Sequence, residues 1–467
     1  MIAIMKQAFR QRALMSNSSL IRLGIIAVLV IGLAGVGFLS TRIRPELILI
    51  TIAAPLMVLL ALSHLEYGVL AIVLTAAFVR FSLPTGTESR IVSSLLLTAA
   101  VIVAWMTKML VVDKKLQLRS SPANVPLLVF VAAVVISSVW CNVFRDQLVV
   151  VWETWPFVQL GALGVMVLLP GAFLLASNCL TEVRLIQWLT TVIITIGILV
   201  VVGEYLHLPV DFIQVRPLFP TWFICLAYAQ VLFNRRLPIA LRVLLLIFVG
   251  AWIYRVFIVR LSWLSAWLPT MLAVGAISLR RSVWLSLILL VLLAVYVGVN
   301  MSAIRADYEI ESMSSGQTRM AAWEVNWRVT GKHFLFGVGP AGYAAYYMSY
   351  FPTEAMATHS NYLDVLSQTG IVGMTGFLSF FAALAWTAWD LLKRTRGRFD
   401  FTGAFGVGAA ASLLGAVIAM GLGDWLLPFV YTQTIAGFDY AAYTWILLGA
   451  MVSLQRIVKE QAVAEFV

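Results

Sequence analysis

Hydrophobic residues in this chain come in long unbroken runs, and the polar residues are confined to the short breaks between them. About fourteen such runs of roughly 16 to 22 residues are present, close to the ~20 that carry a helix across a bilayer. They centre on 21–40, 46–63, 66–81, 91–112, 125–143, 156–177, 185–206, 217–233, 239–258, 262–279, 282–299, 371–391, 403–422 and 437–454. Inside lipid no water satisfies a bare peptide group, so runs of this kind predict α-helices. The pattern therefore predicts an all-α polytopic membrane protein with about 12–14 transmembrane helices. It reads as one membrane domain over residues 1–467. The first run is about as long as a full span and lacks a clear small-residue cleavage site, so it reads as a span and not as a removable signal.

One interval departs from the pattern. From about Asn300 to Ser360 the chain is polar, and it holds two of the four histidines, His333 and His359. A polar stretch this long between spans has to sit in water or line a cavity, which predicts a large external loop over 300–360.

Composition supports the membrane reading. Of the 467 residues, 62% are hydrophobic and 11% charged. A net charge of +11 would suggest nucleic acid in a soluble protein, but here the excess falls in short loops between spans. Lys114, Lys115 and Arg119, Arg235 and Arg236, Arg280 and Arg281, and Lys393 to Arg398 all lie in alternate loops. The positive-inside rule places these loops and both termini in the cytoplasm, and the 300–360 interval on the opposite side. The three cysteines, Cys141, Cys179 and Cys225, are scattered without paired spacing and imply neither a disulfide framework nor a metal knuckle.

Several familiar motifs fail on context. Residues 337–342, GVGPAG, match a dinucleotide fingerprint by letter. No strand–helix–strand unit surrounds them, so Gly337 and Gly339 read as a sharp, close-packed turn. There is no phosphate-binding P-loop, no DxD acidic pair and no HExxH, so no metal site is indicated.

Three positions carry candidate chemistry. Arg216 stands before Pro217 at the start of an apolar run. A proline in the first turn would set this arginine near a helix N-terminus, a site suited to an anion such as pyrophosphate; an interfacial snorkelling arginine is the alternative. Arg260 falls near the exit of one span and the start of the next, where a charged side chain faces a cavity or a partner unless it also snorkels. His359 follows Thr358. With Thr358 as the cap, His359 enters the first helical turn, where the dipole keeps its imidazole neutral, as a general base requires; a merely solvated or structural histidine is the other reading.

The order of these features resembles the O-antigen ligase and O-antigen/exopolysaccharide polymerase superfamily of bacterial envelopes. The resemblance rests on Arg319 and Trp323, the GVGPAGY turn with Gly337 and Gly339, His359 with Asn361, and YLDVLSQTGIVGMTGF after them. RPLFPTW and VRLSWLSAW resemble the family's two upstream arginine elements. The sequence departs from the pattern where Ser360 separates His359 from Asn361, where Val259 precedes Arg260, and where the first arginine block lacks a glycine and an asparagine.

The resemblance implies a membrane glycosyltransferase at the outer face of the bacterial inner membrane. Its donor would be an undecaprenyl-pyrophosphate-linked oligosaccharide. Its acceptor would be a sugar hydroxyl, on another lipid-linked repeat unit in a polymerase or on lipid A–core in a ligase. The departures favour the polymerase. In this scheme Arg216 and Arg260 hold pyrophosphate, Arg319 adds a further phosphate contact or orders the lid through nearby acids, and His359 serves the acceptor, with Trp323, Asn361, Gly337 and Gly339 in support. No nucleotide, divalent metal or other cofactor is implied, since the donor carries its own activation. Membrane lipid, a chain-length regulator and a flippase are implied as partners, and nucleic acid is not. A transporter or flippase of lipid-linked sugars is the alternative of another class, but the mid-span stretches are nearly free of charge.

Overall fold

A computed structural model describes residues 64–85, 89–255 (except 211, 214 and 217), 264–311, 317–351 and 358–464. The predicted spans 21–40 and 46–63, and Arg260, lie outside the described residues. Every predicted span from 66 onward is a helix. In chain order these are α1 (Leu65–Phe78), α2 (Ser93–Thr107), α3 (Asn124–Val143), α4 (Trp155–Cys179), α5 (Val183–Tyr205), α6 (Leu218–Phe233), α7 (Ile239–Tyr254), α8 (Leu264–Arg281) and α9 (Val283–Val299).

The polar interval after α9 is also helical. It forms α10 (Met301–Glu311), α11 (Gln317–Lys332) and α12 (Gly342–Tyr350), so the expected external loop is built largely from three helical pieces. The chain then enters α13 (Asn361–Arg394), α14 (Phe401–Ala419), the single turn α15 (Val430–Gln433) and α16 (Gly437–Ala464). A short antiparallel hairpin, β1 (Ser82–Pro84) with β2 (Arg90–Val92), links α1 to α2, with Leu83 opposite Ile91.

The protein is thus an all-α polytopic membrane protein. Seven of the described helices are long and apolar enough to cross a membrane, and four shorter ones are equally apolar. Residues Leu65–Val467 form one compact unit. Its centre is α16, which packs on α4 and α13 and is buried along most of its length. α14 fills the space against α6 and α8. At the periphery α9 has no buried residue, the mark of a helix that meets lipid on all its free sides.

Lipid gives helices no hydrophobic reason to associate, so close approach depends on small residues. The crossing of α13 and α3 shows this. A Cβ on Gly376 would stand 2.8 Å from the Phe130 backbone nitrogen, so the helices touch main chain to main chain there. Phe130 and Phe377 then meet with ring centroids 5.2 Å apart.

A break inside α13 sets its polar start apart from its apolar remainder. Gly370 has φ +64° and interrupts the helix. The stretch 361–369 therefore points differently from the apolar stretch 371–394, and it buries a polar set: Asn361, Asp364, Ser367, Gln368 and Thr369.

Candidate functional site

The site forms where this polar first segment of α13 meets three other elements. On one side lies the glycine turn between α11 and α12. Val338 N–H donates to the Ser367 carbonyl at 2.9 Å, and Gly339 N–H to the Gln368 carbonyl at 2.9 Å. The Gln368 side-chain oxygen accepts the Ala341 N–H at 2.8 Å, and Ser137 Oγ of α3 donates to the carbonyls of Phe336 and Gln368 at 2.5 and 2.6 Å. Both glycines are in the left-handed region, Gly337 at φ +68° and Gly339 at +84°. A Cβ on Gly337 would stand 2.5 Å from the Ser367 carbonyl oxygen, and one on Gly339 would stand 2.2 Å from Cys141 Sγ. The turn is a packing element, as its sequence context indicated.

Left-handed strain plus a clash with backbone gives the first prediction. Gly337→Ala should destabilise the fold by about 1–3 kcal/mol. Thermal unfolding in detergent measures this, with Gly331→Ala as the control, since nothing lies within 4 Å of that position. An unchanged melting temperature for Gly337→Ala would remove the packing role.

On the other side of α13 lies the segment between α14 and α16. Asn361 binds it tightly. Its amide oxygen accepts the N–H groups of Leu426 and Leu427 at 3.0 and 3.3 Å, and its amide nitrogen donates to the Leu427 carbonyl at 2.7 Å. Its backbone N–H donates to the Met420 carbonyl at 2.8 Å. Asn361 thus fastens the 420–427 segment to α13. Within that segment the buried Asp424 accepts the Thr432 hydroxyl, the Phe429 N–H at 3.3 Å and the Gln433 amide at 3.3 Å.

His359 lies between these supports. It is not in the first turn of the helix: Ser360 is the N-cap residue, and His359 precedes it with φ +47°. Thr358 does not cap the helix either; its hydroxyl donates to the buried carboxylate of Asp364 at 2.6 Å. The left-handed backbone of a non-glycine residue costs of order 1–3 kcal/mol and persists only where its surroundings dictate it. Here they do. Trp323 Nε1 of α11 donates to the Thr358 carbonyl at 2.7 Å on one side of His359, and the Asn361–Met420 bond holds the other.

The helix dipole is therefore not what sets the imidazole. Burial holds the half-buried ring below its ordinary pKa, the Arg319 guanidinium acts in the same sense, and the Asp424 carboxylate opposes both. Arg319 stands four residues before Trp323 on the same face of α11. Its Nε is buried and makes no hydrogen bond.

The structure thus brings Arg319, Trp323, His359 and Asn361 together and packs Gly337 and Gly339 against the same helix. Arg216 is exposed, with its guanidinium 4.9 Å from the centre of the Tyr440 ring at the start of α16. Among the described residues no hydrogen bond or ion pair joins it to the His359 cluster. Arg255, the neighbour of Arg260 in sequence, pairs with Glu204. His333 stacks edge-on against Tyr346 at 4.8 Å, near Asp146, which accepts the Tyr350 hydroxyl at 2.5 Å. That group ties α12 to the α3–α4 connection.

Sequence reasoning passed over Asp424 and Asp364. A lone acid between two apolar runs, as in GLGDWLLPF, is the signal that could have found the first. Asp364 falls in the first turn of α13, five residues after His359, and nothing in the spacing showed that it would be buried.

Residues 221–378 match the family model described as O-antigen ligase. This segment belongs to the O-antigen ligase/polymerase superfamily. It runs from α6 to the middle of α13 and includes Arg319, Trp323, the glycine turn, His359 and Asn361. Asp424 and its loop lie beyond it. No curated protein matches the chain.

Proposed function

We propose that this membrane protein transfers an undecaprenyl-pyrophosphate-linked oligosaccharide to a sugar hydroxyl at the periplasmic face, and that it polymerises repeat units. One observation carries the reading: a half-buried histidine, favoured neutral by burial and by a neighbouring arginine, stands beside a buried guanidinium N–H that has no protein acceptor. A neutral imidazole takes a proton, and an unpartnered guanidinium takes an anion. Those are the two needs of a displacement in which pyrophosphate leaves.

In this scheme the acceptor hydroxyl oxygen bonds to the anomeric carbon of the donor sugar. The bond from that carbon to the pyrophosphate oxygen breaks with its electron pair, and the hydroxyl proton passes to His359. Arg319 holds the departing pyrophosphate, helped by Arg216 and Arg260. Neither nucleotide nor divalent metal is assigned a step. The Asp424 carboxylate acts electrostatically on the imidazole and favours its protonated form once the proton has moved.

The family description favours a second reading, in which the acceptor is lipid A–core and the protein is a ligase. Both acceptors are sugar hydroxyls, so the same site serves either. Glycans of a deletion strain separate the two. Single repeats in place of polymer identify the polymerase, whereas long lipid-linked chains that never reach lipid A identify the ligase. Unchanged lipid-linked and surface glycans contradict both.

A further inference from the structure

The helices that build the His359 site carry a second concentration of charge at their other ends. α13 runs from the site to Arg394, and α14 runs back from Phe401 to Ala419, just before Met420, whose carbonyl binds Asn361. The straight part of α13, residues 371–394, is about 36 Å long at 1.5 Å per residue. That is close to the ~30 Å of hydrocarbon in a bilayer. The far ends of α6, α8, α13 and α14 therefore sit at headgroup depth on the opposite face.

Between those ends lies a cavity of about 300 Å³. Four arginines line it: Arg280 and Arg281 from the end of α8, and Arg396 and Arg398 from the turn between α13 and α14. Its floor is apolar, with Phe233 and Val407 both buried. Arg398 is neutralised by Asp400, with which it makes hydrogen bonds of 2.8 and 3.2 Å, and the second oxygen of Asp400 caps α14 through the Gly403 N–H. The other three guanidiniums have no carboxylate partner among the described residues. Arg280 donates to the Leu392 carbonyl at 3.3 Å, and Arg281 lies 6.0 Å from the Phe399 ring, whose environment also includes the Arg235 guanidinium at 4.1 Å.

Three like charges around one small cavity repel each other unless an anion joins them. A planar guanidinium matches a phosphate through two parallel N–H bonds, and an apolar floor at headgroup depth accepts a glycerol or acyl segment. Basic pockets between transmembrane helices bind anionic headgroups in this manner. We infer that this cavity is a binding site for a phosphate-bearing anion, supplied by an anionic phospholipid, on the membrane face opposite the His359 site.

The test uses the full-length protein in neutral detergent, with retained lipid read by native mass spectrometry after adding phosphatidylglycerol, cardiolipin or phosphatidylcholine. The wild type should keep the two anionic lipids and not phosphatidylcholine. The variant R280Q/R281Q/R396Q should lose roughly a hundredfold in their affinity. K114Q/K115Q, a variant with exposed charges removed outside the cavity, should bind like the wild type. Arg396→Gln alone, in an exposed turn, covers the case in which the triple variant does not fold, and should lose about fivefold. In a parallel titration, arginine-dependent binding of inorganic pyrophosphate without lipid retention would keep the phosphate site and identify a soluble anion as its source. Equal lipid retention by all the proteins, with no arginine-dependent binding of pyrophosphate, overturns the inference.

Discussion

His359→Ala should lower glycan transfer by about 10²- to 10⁴-fold while the protein remains folded in the membrane. The histidine occupies a strained left-handed position held from outside by Trp323, Asn361 and the Thr358–Asp364 bond, so removing its ring should leave those bonds in place. His359→Gln should not restore activity, since an amide bonds to a hydroxyl but does not take its proton. Donor binding should survive both changes, because arginines provide that grip. His333→Ala is the internal control. It removes a ring packed on Tyr346 away from the cluster, so its effect on transfer should be much milder.

The pH profile rests on the same environment. A base works in its neutral form, so activity should be full above the folded pKa and fall as pH drops through it. Burial first, and Arg319 second, hold that pKa below the ordinary imidazole value, so the loss should come below about 6.5. Arg319→Ala removes a cation that lowers the pKa, so the acid limb should move to higher pH. Asp424→Asn removes the anion that raises it, so the limb should move to lower pH. An acid limb that stays fixed in both variants would show that the titrating group is not His359.

The second large effect belongs to the arginines. Charge-assisted hydrogen bonds are worth about 1.5–3 kcal/mol each. Arg319→Ala should therefore weaken donor use roughly 10- to 150-fold, with the double variant of Arg216 and Arg260 at least as impaired. Lysine keeps the charge but loses the planar fork, so Arg319→Lys should rescue only in part. The described positions separate on geometry. Arg319 has a buried Nε with no protein partner beside His359, whereas Arg216 is exposed over Tyr440. Normal transfer by a well-expressed double variant of Arg216 and Arg260 would leave Arg319 as the pyrophosphate ligand and return Arg216 to a snorkelling role.

Much of the fold was legible because lipid permits few solutions. Uninterrupted apolar runs have to become helices, and from residue 66 onward each one did. Most ends lie within a few residues, while the helices holding 371–391 and 437–454 extend about ten residues beyond them at one end. The polar interval was harder. Its helices α11 and α12 are only weakly amphipathic, so periodicity gave little sign of them. The candidate residues stood out by type and order, but their arrangement did not. The turn at His359 depends on bonds from Trp323, 36 residues earlier, and to Met420, 61 residues later, and local pattern carries neither. The expected first-turn placement of His359 failed for that reason. The break at Gly370 was hidden in the same way, because Gly370 packs against the backbone of Leu335 beside the glycine turn.

The central claim is that this site moves sugar from a polyprenyl pyrophosphate to a hydroxyl. Purified protein in liposomes without an ion gradient, given a fluorescent undecaprenyl-pyrophosphate oligosaccharide and an acceptor glycan, measures this directly. The account predicts an elongated glycan and an equal amount of released undecaprenyl pyrophosphate from the wild type, with neither product from His359→Ala. Intact donor that only changes leaflet, or equal product from the His359→Ala protein, would contradict it.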